Sequence, residues 1–110
     1  MNSKSMIKRT RYRNRKILAN ARGKDCTMQL PGVCNRDPET TVAAHSGLIE
    51  DGKGMSMKGD DFAVCYACSS CHDVYDNRAK HDFDRDFLTA RFHRAMKETL
   101  RICFEDDVIG

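Results

Sequence analysis

Residues 62–72 read FAVCYACSSCH, and residues 26–34 read CTMQLPGVC. These two stretches carry five of the six cysteines in the 110-residue chain. A structural zinc site takes four tetrahedral ligands, commonly thiolates supplied as two close pairs. With no export signal before them, these thiols are expected to stay reduced. The cysteine spacing therefore favours a zinc-stabilised fold over a disulfide scaffold.

The first cysteine pair is Cys26 and Cys34, which bracket the turn signal Pro31-Gly32. The second pair comes from a set of three, of which one is surplus: Cys65, Cys68 and Cys71. Cys68 and Cys71 are favoured, because a pair entering the first turn of a helix gains N–H groups that stabilise thiolate charge.

Ser69 or Ser70 is the predicted N-cap of that helix. Cys65 alternates within an apolar run and fits a small buried residue better than a ligand. Cys103 lies on the apolar stripe of a later helix and is predicted to be a core thiol. The alternative is that the cysteines are only buried small residues or form incidental disulfides. A core this small needs additional stabilisation, and this need favours the metal site.

The remaining patterns predict a small α+β domain. Residues 40–45 and 62–67 are short β-like runs, and residues 47–59 form a Gly-rich loop. From residue 83 onward, apolar residues recur at three- and four-residue spacing and predict a helix of about five turns. The acidic tail, residues 105–110, ends that helix.

Charge is distributed unevenly along the chain. The formal net charge is +3, but residues 1–24 hold nine basic and no acidic residues, and the other 86 hold ten basic and sixteen acidic residues. We predict a basic arm over residues 1–24 and one domain over residues 25–110. The arm is a partly disordered tail or a short helix, with Ile17, Leu18 and Ala21 as its apolar edge. It also suits nucleic-acid phosphates, which its basic residues would contact: Lys8, Arg9, Arg11, Arg13, Arg15, Lys16, Arg22 and Lys24.

Other classes of protein fit the sequence poorly. No apolar stretch approaches the roughly 18 residues of a membrane span. The basic N-terminus is not followed by the apolar run of a secretory signal. A cytoplasmic protein, in the host cytoplasm if a phage encodes it, is the resulting expectation.

The chain resembles a known family in several short motifs. They are Cys26 with residues 30–35, residues 38–40, Ala44-His45, and residues 67–73. Together they look like the YbcO-like nucleases borne by phages and prophages, which are similar to HNH, or ββα-metal, endonucleases built on a treble clef. The resemblance covers residues 22 to about 80.

This resemblance implies a structural Zn²⁺ held by four residues: Cys26, Cys34, Cys68 and Cys71. It further implies that His45 activates water and that His72 binds a catalytic ion such as Mg²⁺ or Mn²⁺. A neutral imidazole can accept a proton from water near neutral pH. A divalent ion stabilises the charge that develops on the phosphate and on the leaving 3′ oxygen.

Two features depart from the HNH pattern. The position before His45, which commonly holds an acidic metal ligand, is Ala44. The central Asn, which orients the base histidine, has no clear counterpart, and Asp61 is the nearest candidate. Asp61, Asp73 and Asp76 are the candidates to complete the shell of the catalytic ion, although a solvated loop or helix carboxylate is the favoured interpretation of each. His81 is a candidate phosphate contact, and His93 is expected to be exposed.

The sequence thus predicts a metal-dependent DNA endonuclease with His45 and His72 in its catalytic site. The rival is a zinc-stabilised nucleic-acid-binding module without hydrolytic activity. A protein-binding zinc module would leave His45 and the arm unexplained. A single nuclease site cuts one strand, so double-strand cutting requires a homodimer or two events.

Overall fold

The computed structural model describes residues 11–48 and 59–109. Its elements in chain order are α1 (Arg15–Ala19), a 3₁₀ turn (Pro38–Thr40), β1 (Val42–His45), β2 (Val64–Ala67), α2 (Ser69–Tyr75) and α3 (Arg85–Glu105). The protein is therefore a small α+β domain with a two-stranded sheet and a long C-terminal helix, as the sequence predicts. The predicted loop at residues 47–59 lies mostly outside the described residues.

The two strands form an antiparallel pair in which Val42 lies opposite Ala67 and His45 lies opposite Val64. Each strand is two residues shorter than its predicted run. The first run is shortened by the 3₁₀ turn, which Asp37 caps by accepting the Glu39 N–H at 3.1 Å. This register places His45 at the end of the sheet that is remote from the start of α2.

The second strand is buried on both faces. Cys65 and Ala67 pack into a cluster with Leu88 and Phe92 of α3. Val64 and Tyr66 pack into a second cluster, which contains three further buried residues: Ile17, Ala21 and Cys103. Side chains alternate between the faces of a strand, so β2 joins two small cores, and that explains its uniformly apolar sequence.

Thr99 on α3 forms a hydrogen bond with the backbone at the edge of β2, where a third strand could otherwise pair. Its Oγ1 accepts the Tyr66 N–H at 2.9 Å and lies 3.3 Å from the Thr27 hydroxyl. Thr27 in turn donates its hydroxyl to the Tyr66 carbonyl at 2.8 Å. A buried backbone group without a partner is costly, so these two hydroxyls allow the edge of β2 to be covered by a helix.

Part of the basic arm is a packed helix. Asn14 caps α1 by accepting the N–H groups of Lys16 and Ile17. Ile17 and Ala21 are almost fully buried, and the Tyr66 hydroxyl donates to the Ile17 carbonyl. The predicted short helix therefore exists, and its apolar edge belongs to the core. The domain boundary after Lys24 stays a prediction.

Among the described residues, no helix is both long enough and apolar enough to span a membrane.

Candidate functional site

Four cysteine sulfurs converge beside the start of α2. They belong to Cys26, Cys34, Cys68 and Cys71, and all four lie within 4.8 Å of one another. The Cys34 and Cys68 sulfurs are 4.0 Å apart. The edge of a tetrahedron with zinc–sulfur bonds of 2.3 Å is roughly 3.8 Å long. This arrangement can therefore hold a metal ion such as zinc.

The Pro31-Gly32 turn brings the first two of these cysteines together. The Val33 N–H donates to the Leu30 carbonyl at 3.2 Å. Gly32, at φ 70°, occupies the left-handed position that this type of turn requires after proline. The Cys34 N–H also reaches the Leu30 carbonyl, at 3.0 Å. The turn thus folds Cys34 back toward Cys26, as predicted from the sequence.

Backbone N–H groups point at the sulfurs. Gln29 N–H donates to the Cys26 sulfur, Leu30 N–H to Cys71, and Cys71 N–H to Cys68, each at 3.4 Å. A hydrogen bond from Cys71 lowers the pKa of Cys26 to about 5, and the same bond raises the pKa of the Cys71 thiol. Such donors stabilise thiolates, which are the form that binds a metal.

The helix after the second pair begins differently from the prediction. Cys68 itself is the N-cap of α2, and its sulfur accepts the Cys71 N–H. The expectation that Ser69 or Ser70 caps the helix is therefore wrong, because Ser69 already has helical geometry. One side chain thus serves both as the cap and as a member of the cysteine cluster.

The other two cysteines lie in the core. Cys65 is fully buried in β2, and burial raises the pKa of its thiol. Cys103 is fully buried on α3, with its sulfur 3.1 Å from the Tyr66 hydroxyl. All six cysteines are free thiols, so the structure does not support the disulfide alternative.

His45 forms a short contact with Asp61 at the opposite end of the sheet. The His45 Nε2 lies 2.8 Å from Asp61 Oδ1. Asp61 is only 2% exposed, so the interpretation that it is a solvated loop carboxylate is wrong. In the neutral imidazole, the nitrogen that faces a carboxylate carries the proton, and the accepting lone pair is then on Nδ1.

Asp61 is held in place by further donors. The Asn14 N–H donates to Oδ2 at 2.7 Å, and Arg13 Nη1 lies 3.3 Å from Oδ1. Burial alone raises the pKa of this carboxyl group, but the hydrogen bonds from His45 and Asn14 and the charge of Arg13 outweigh it. The pKa of Asp61 is therefore below its ordinary value. Asp61 is an anion that contacts both the arm and His45.

His72 has a carboxylate partner of its own one helical turn later. Its Nε2 lies 3.0 Å from Asp76 Oδ2. Burial raises the pKa of Asp76, but the hydrogen bond from His72 and the charges of His72 and Arg78 bring it below its ordinary value. Arg78 also contacts Asp73 at 3.1 Å, and its Nη2 lies 3.4 Å from His72 Nδ1. Asp73 and Asp76 are therefore both paired with Arg78.

The two histidine pairs belong to neighbouring elements. The Tyr75 hydroxyl accepts the Gly47 N–H at 3.0 Å. Tyr75 follows His72 by three residues on α2, and Gly47 follows His45 by two, so the end of α2 lies beside the end of β1. Within residues 11–48 and 59–109, the four cysteines are the one group of three or more His, Cys, Asp and Glu side chains close enough to share an ion.

The other two histidines are peripheral. His81 Nε2 lies 3.1 Å from Asn77 Oδ1, and His81 Nδ1 accepts the Phe83 N–H at 3.0 Å. These bonds order the segment that leads into α3. His93 is exposed on α3, as expected.

The basic residues of the arm differ in their surroundings. Lys24 pairs with Asp106 at 3.3 Å, and Arg13 pairs with Asp61. The side chains of Arg15, Lys16 and Arg22 are exposed. Arg11 is half-buried. The candidates Lys8 and Arg9 lie outside the described residues.

The sequence alone does not indicate the roles of two residues in this region, Arg78 and Asn14. Arg78 bridges Asp73 and Asp76, and an (i, i+2) and (i, i+5) spacing of charges is not a regular helical signal. Asn14 contributes a backbone N–H, which any residue could supply. Only its preference for capping α1 is visible in the sequence.

Comparison with known proteins identifies the family. The family model "Putative nuclease YbcO" matches residues 15–108. Two proteins of that name, from Escherichia coli (strain K12) and Enterobacteria phage 82, are each 38% identical over 92 residues, which is 81% of this chain and 91% of theirs. A solved structure described as a "putative bacteriophage protein" from Escherichia coli str. K-12 substr. MG1655 is 36% identical, with a TM-score of 0.65 over 82% of this chain and 98% of the other.

The family match is longer than the resemblance found in the motifs. It extends through α1 at one end and through α3 at the other, so it includes the helical part of the basic arm, which the motif resemblance left out. This chain belongs to the YbcO family.

Proposed function

We propose that this protein is a divalent-ion-dependent DNA endonuclease of the HNH, or ββα-metal, type. Relatives that are 38% identical carry the name nuclease. The order of two antiparallel strands followed by a helix, with a cysteine cluster where the second strand meets the helix, agrees with a treble clef. In this proposal Cys26, Cys34, Cys68 and Cys71 hold a structural zinc that joins the 26–34 turn to α2.

The pairing of His45 with Asp61 carries the proposal. Asp61 accepts the Nε2 proton, so His45 Nδ1 can take a proton from the attacking water. The buried carboxylate then stabilises the imidazolium that forms, and it fixes the orientation of the ring. Asp61 thereby takes the orienting role of the central Asn that this chain lacks, which makes it a positioning residue and not the ligand of an ion.

His72 and Asp76 are the residues proposed to hold the catalytic ion. The 3.0 Å between His72 Nε2 and Asp76 Oδ2 is a hydrogen bond whose proton the ion would displace, and an octahedral site with bonds of about 2.1 Å has edges of similar length. An ion such as Mg²⁺ or Mn²⁺ would supply charge stabilisation to the phosphate and the leaving oxygen when bound. Asp73, which pairs with Arg78, is the second candidate for a carboxylate ligand of this ion.

A specific observation supports the rival, a nucleic-acid-binding module without hydrolytic activity. Ala44 occupies the position of the usual acidic ligand, and it is fully buried among core residues. A carboxylate cannot replace Ala44 without disturbing the core, so the chain lacks the usual acidic ligand. In the nuclease proposal, water and the substrate must therefore complete the ion shell.

The deciding experiment is cleavage of supercoiled plasmid with Mg²⁺ or Mn²⁺. We expect wild-type protein to nick the plasmid and His45→Ala to be slower by at least about 100-fold, which is the usual contribution of a general base. Asp61→Asn and Asp76→Asn are also expected to be slower. His93→Ala is the matched control, because His93 is exposed on α3.

Two outcomes contradict the proposal. If wild-type protein binds DNA and cuts none with either ion, the rival is correct. If His45→Ala cuts as fast as His93→Ala, the chain is a nuclease whose base lies elsewhere. Thermal unfolding of each variant separates loss of catalysis from loss of the fold.

A further inference from the structure

We propose that Tyr12 and Phe62 form a platform on which an unpaired base of single-stranded DNA stacks, beside the His45–Asp61 pair. The inference deepens the proposed function, on which it rests, because it names single-stranded or locally opened DNA as the substrate class. The binding it describes is measurable without cleavage.

The two rings form an exposed aromatic pair. Tyr12 is 40% exposed and Phe62 is 46% exposed, and their centroids are 5.6 Å apart with a tilt of 44°. Neither ring is needed to fill a core, since both lie outside the two buried clusters. Aromatic faces that remain accessible are the surfaces on which single-stranded nucleic acids stack their bases.

The platform is rigid although one ring comes from the arm. The Tyr12 N–H donates to Asp60 Oδ1 at 2.9 Å, and the Asp61 N–H donates to the Tyr12 carbonyl at 3.0 Å. The Tyr12 hydroxyl accepts from the Asn14 side chain at 2.8 Å. A preorganised surface loses little conformational entropy when a ligand binds.

The surroundings of the platform favour a polyanion. Arg11, Arg13 and Arg15 alternate with Tyr12 and Asn14 along the arm, within a segment that contains no acidic residue. Two carboxylates, Asp60 and Asp61, adjoin the platform, and Arg13 offsets the negative charge of Asp61. Aromatic rings interleaved with guanidinium groups suit stacked bases joined by phosphates.

Another exposed ring shows the contrast. Phe104 is 67% exposed, but Glu105, Asp106 and Asp107 follow it directly. Phe62 also follows two carboxylates, Asp60 and Asp61, but the ring that it contacts, Tyr12, is flanked by Arg11 and Arg13. Exposure alone therefore does not make an aromatic residue a base-stacking site. Phe104 is therefore a suitable control.

The position of the platform connects it with the proposed chemistry. Phe62 directly follows Asp61, whose Oδ1 lies 2.8 Å from His45 Nε2. A nucleotide stacked on Phe62 would therefore have its phosphate near the base histidine. Bases within an intact duplex are already stacked on their neighbours, so the platform selects strands that are open.

The test is the affinity for a labelled single-stranded oligonucleotide and for a duplex of the same sequence, without added Mg²⁺ or Mn²⁺. We expect Tyr12→Ala with Phe62→Ala to weaken single-strand binding by at least fivefold, in line with the usual loss per stacked base. Duplex binding should change less than twofold. Phe104→Ala should change neither affinity, and Tyr12→Phe should retain single-strand binding.

The salt dependence separates stacking from charge. The double Ala variant should lose the same factor at every salt concentration, because stacking releases no counterions, whereas Arg15→Ala with Lys16→Ala should reduce the slope. A double Leu variant at positions 12 and 62 keeps the apolar mass without an aromatic face, and it should bind single strands as weakly as the double Ala variant.

Tyrosine fluorescence gives a readout that needs no variant. Of the three tyrosines, Tyr66 and Tyr75 are buried and Tyr12 is exposed. Addition of single-stranded DNA should therefore quench the emission of Tyr12, and addition of duplex should quench it less.

Unchanged single-strand affinity in the double Ala and double Leu variants would overturn the platform and leave the nuclease proposal intact if plasmid is still cut. Loss of single-strand affinity in a protein that cuts no DNA would support the platform and overturn the nuclease proposal.

Discussion

His45 Nε2 lies 2.8 Å from Asp61 Oδ1, although the two residues are sixteen positions apart along the chain. The contact forms because β1 and β2 are antiparallel, which places His45 opposite Val64, and Asp61 lies only three residues before Val64. The same carboxylate accepts the Asn14 N–H and pairs with Arg13. One buried anion thus connects the arm, the strand pair and the proposed base.

We predict that the ionised form of Asp61 stabilises the fold. Its pKa is below the ordinary value, so its contribution is fully present above the unfolded-state pKa near 3.9 and is lost as the pH falls through the lower, folded-state pKa. Asp61→Asn should reduce the free energy of unfolding at pH 7 by about 2 kcal/mol. Urea unfolding measures this change, with the exposed Asp82→Asn as the control. A carboxyl titration midpoint above 3.8 for Asp61 would contradict the prediction.

Zinc stoichiometry should distinguish the cysteines. Cys68→Ala should bind less than one equivalent of zinc and unfold, because it removes both a proposed zinc ligand and the N-cap of α2. Cys65→Ala and Cys103→Ala, both buried outside the cluster, should retain one equivalent. Elemental analysis of the purified variants checks this. Full zinc content in Cys68→Ala together with its loss in Cys65→Ala would reverse the assignment.

Truncation of Ile17 should show how far the arm belongs to the fold. Ile17→Ala is expected to lower the free energy of unfolding by about 3 kcal/mol, because the side chain is 1% exposed and packs in a core cluster. Lys16→Ala, at the exposed neighbouring position, should change it by less than about 0.5 kcal/mol. Denaturant unfolding of both variants is the measurement. A cost below 1 kcal/mol for Ile17→Ala would mean that α1 is only loosely attached.

Removal of residues 1–10 should weaken DNA binding without unfolding the protein. This segment contains three basic residues: Lys4, Lys8 and Arg9. If each contacts a phosphate, the slope of log K against log salt for duplex DNA should fall by about 2.7. A full-length chain with alanine at these three positions is the matched control. An unchanged slope would exclude this segment from binding. Deletion through residue 20 is unsuitable, because it also removes Ile17 from the core.

Local signals in the sequence predicted the elements well. The three- and four-residue apolar spacing marked α3, and its members Leu88, Phe92 and Ala95 are buried. The Pro31-Gly32 turn folds Cys34 toward Cys26. These features depend on neighbouring residues, whose backbone preferences and periodicity are visible in the chain itself.

Contacts between distant segments were harder to predict. Asp61 is buried because residues 12–14 of the arm cover the segment before β2. No local pattern in the sequence indicates this contact. The sequence predicts the N-cap of α2 one or two residues after Cys68, because Ser is a frequent cap, and the cysteine sulfur that caps the helix is visible only in the structure.

The sequence by itself determined a small α+β domain with two cysteine pairs, a strand pair ending in His45 and a long amphipathic helix. Tertiary structure decided that Cys68 and not Cys65 joins the cluster, that Asp61 is the partner of His45, and that Ile17 and Ala21 of the basic arm are core residues. The physical reason is that spacing along a chain sets the direction of each side chain within its own element. Which side chains then meet depends on how separate elements pack to cover β2 on both faces and to pair the groups they bury.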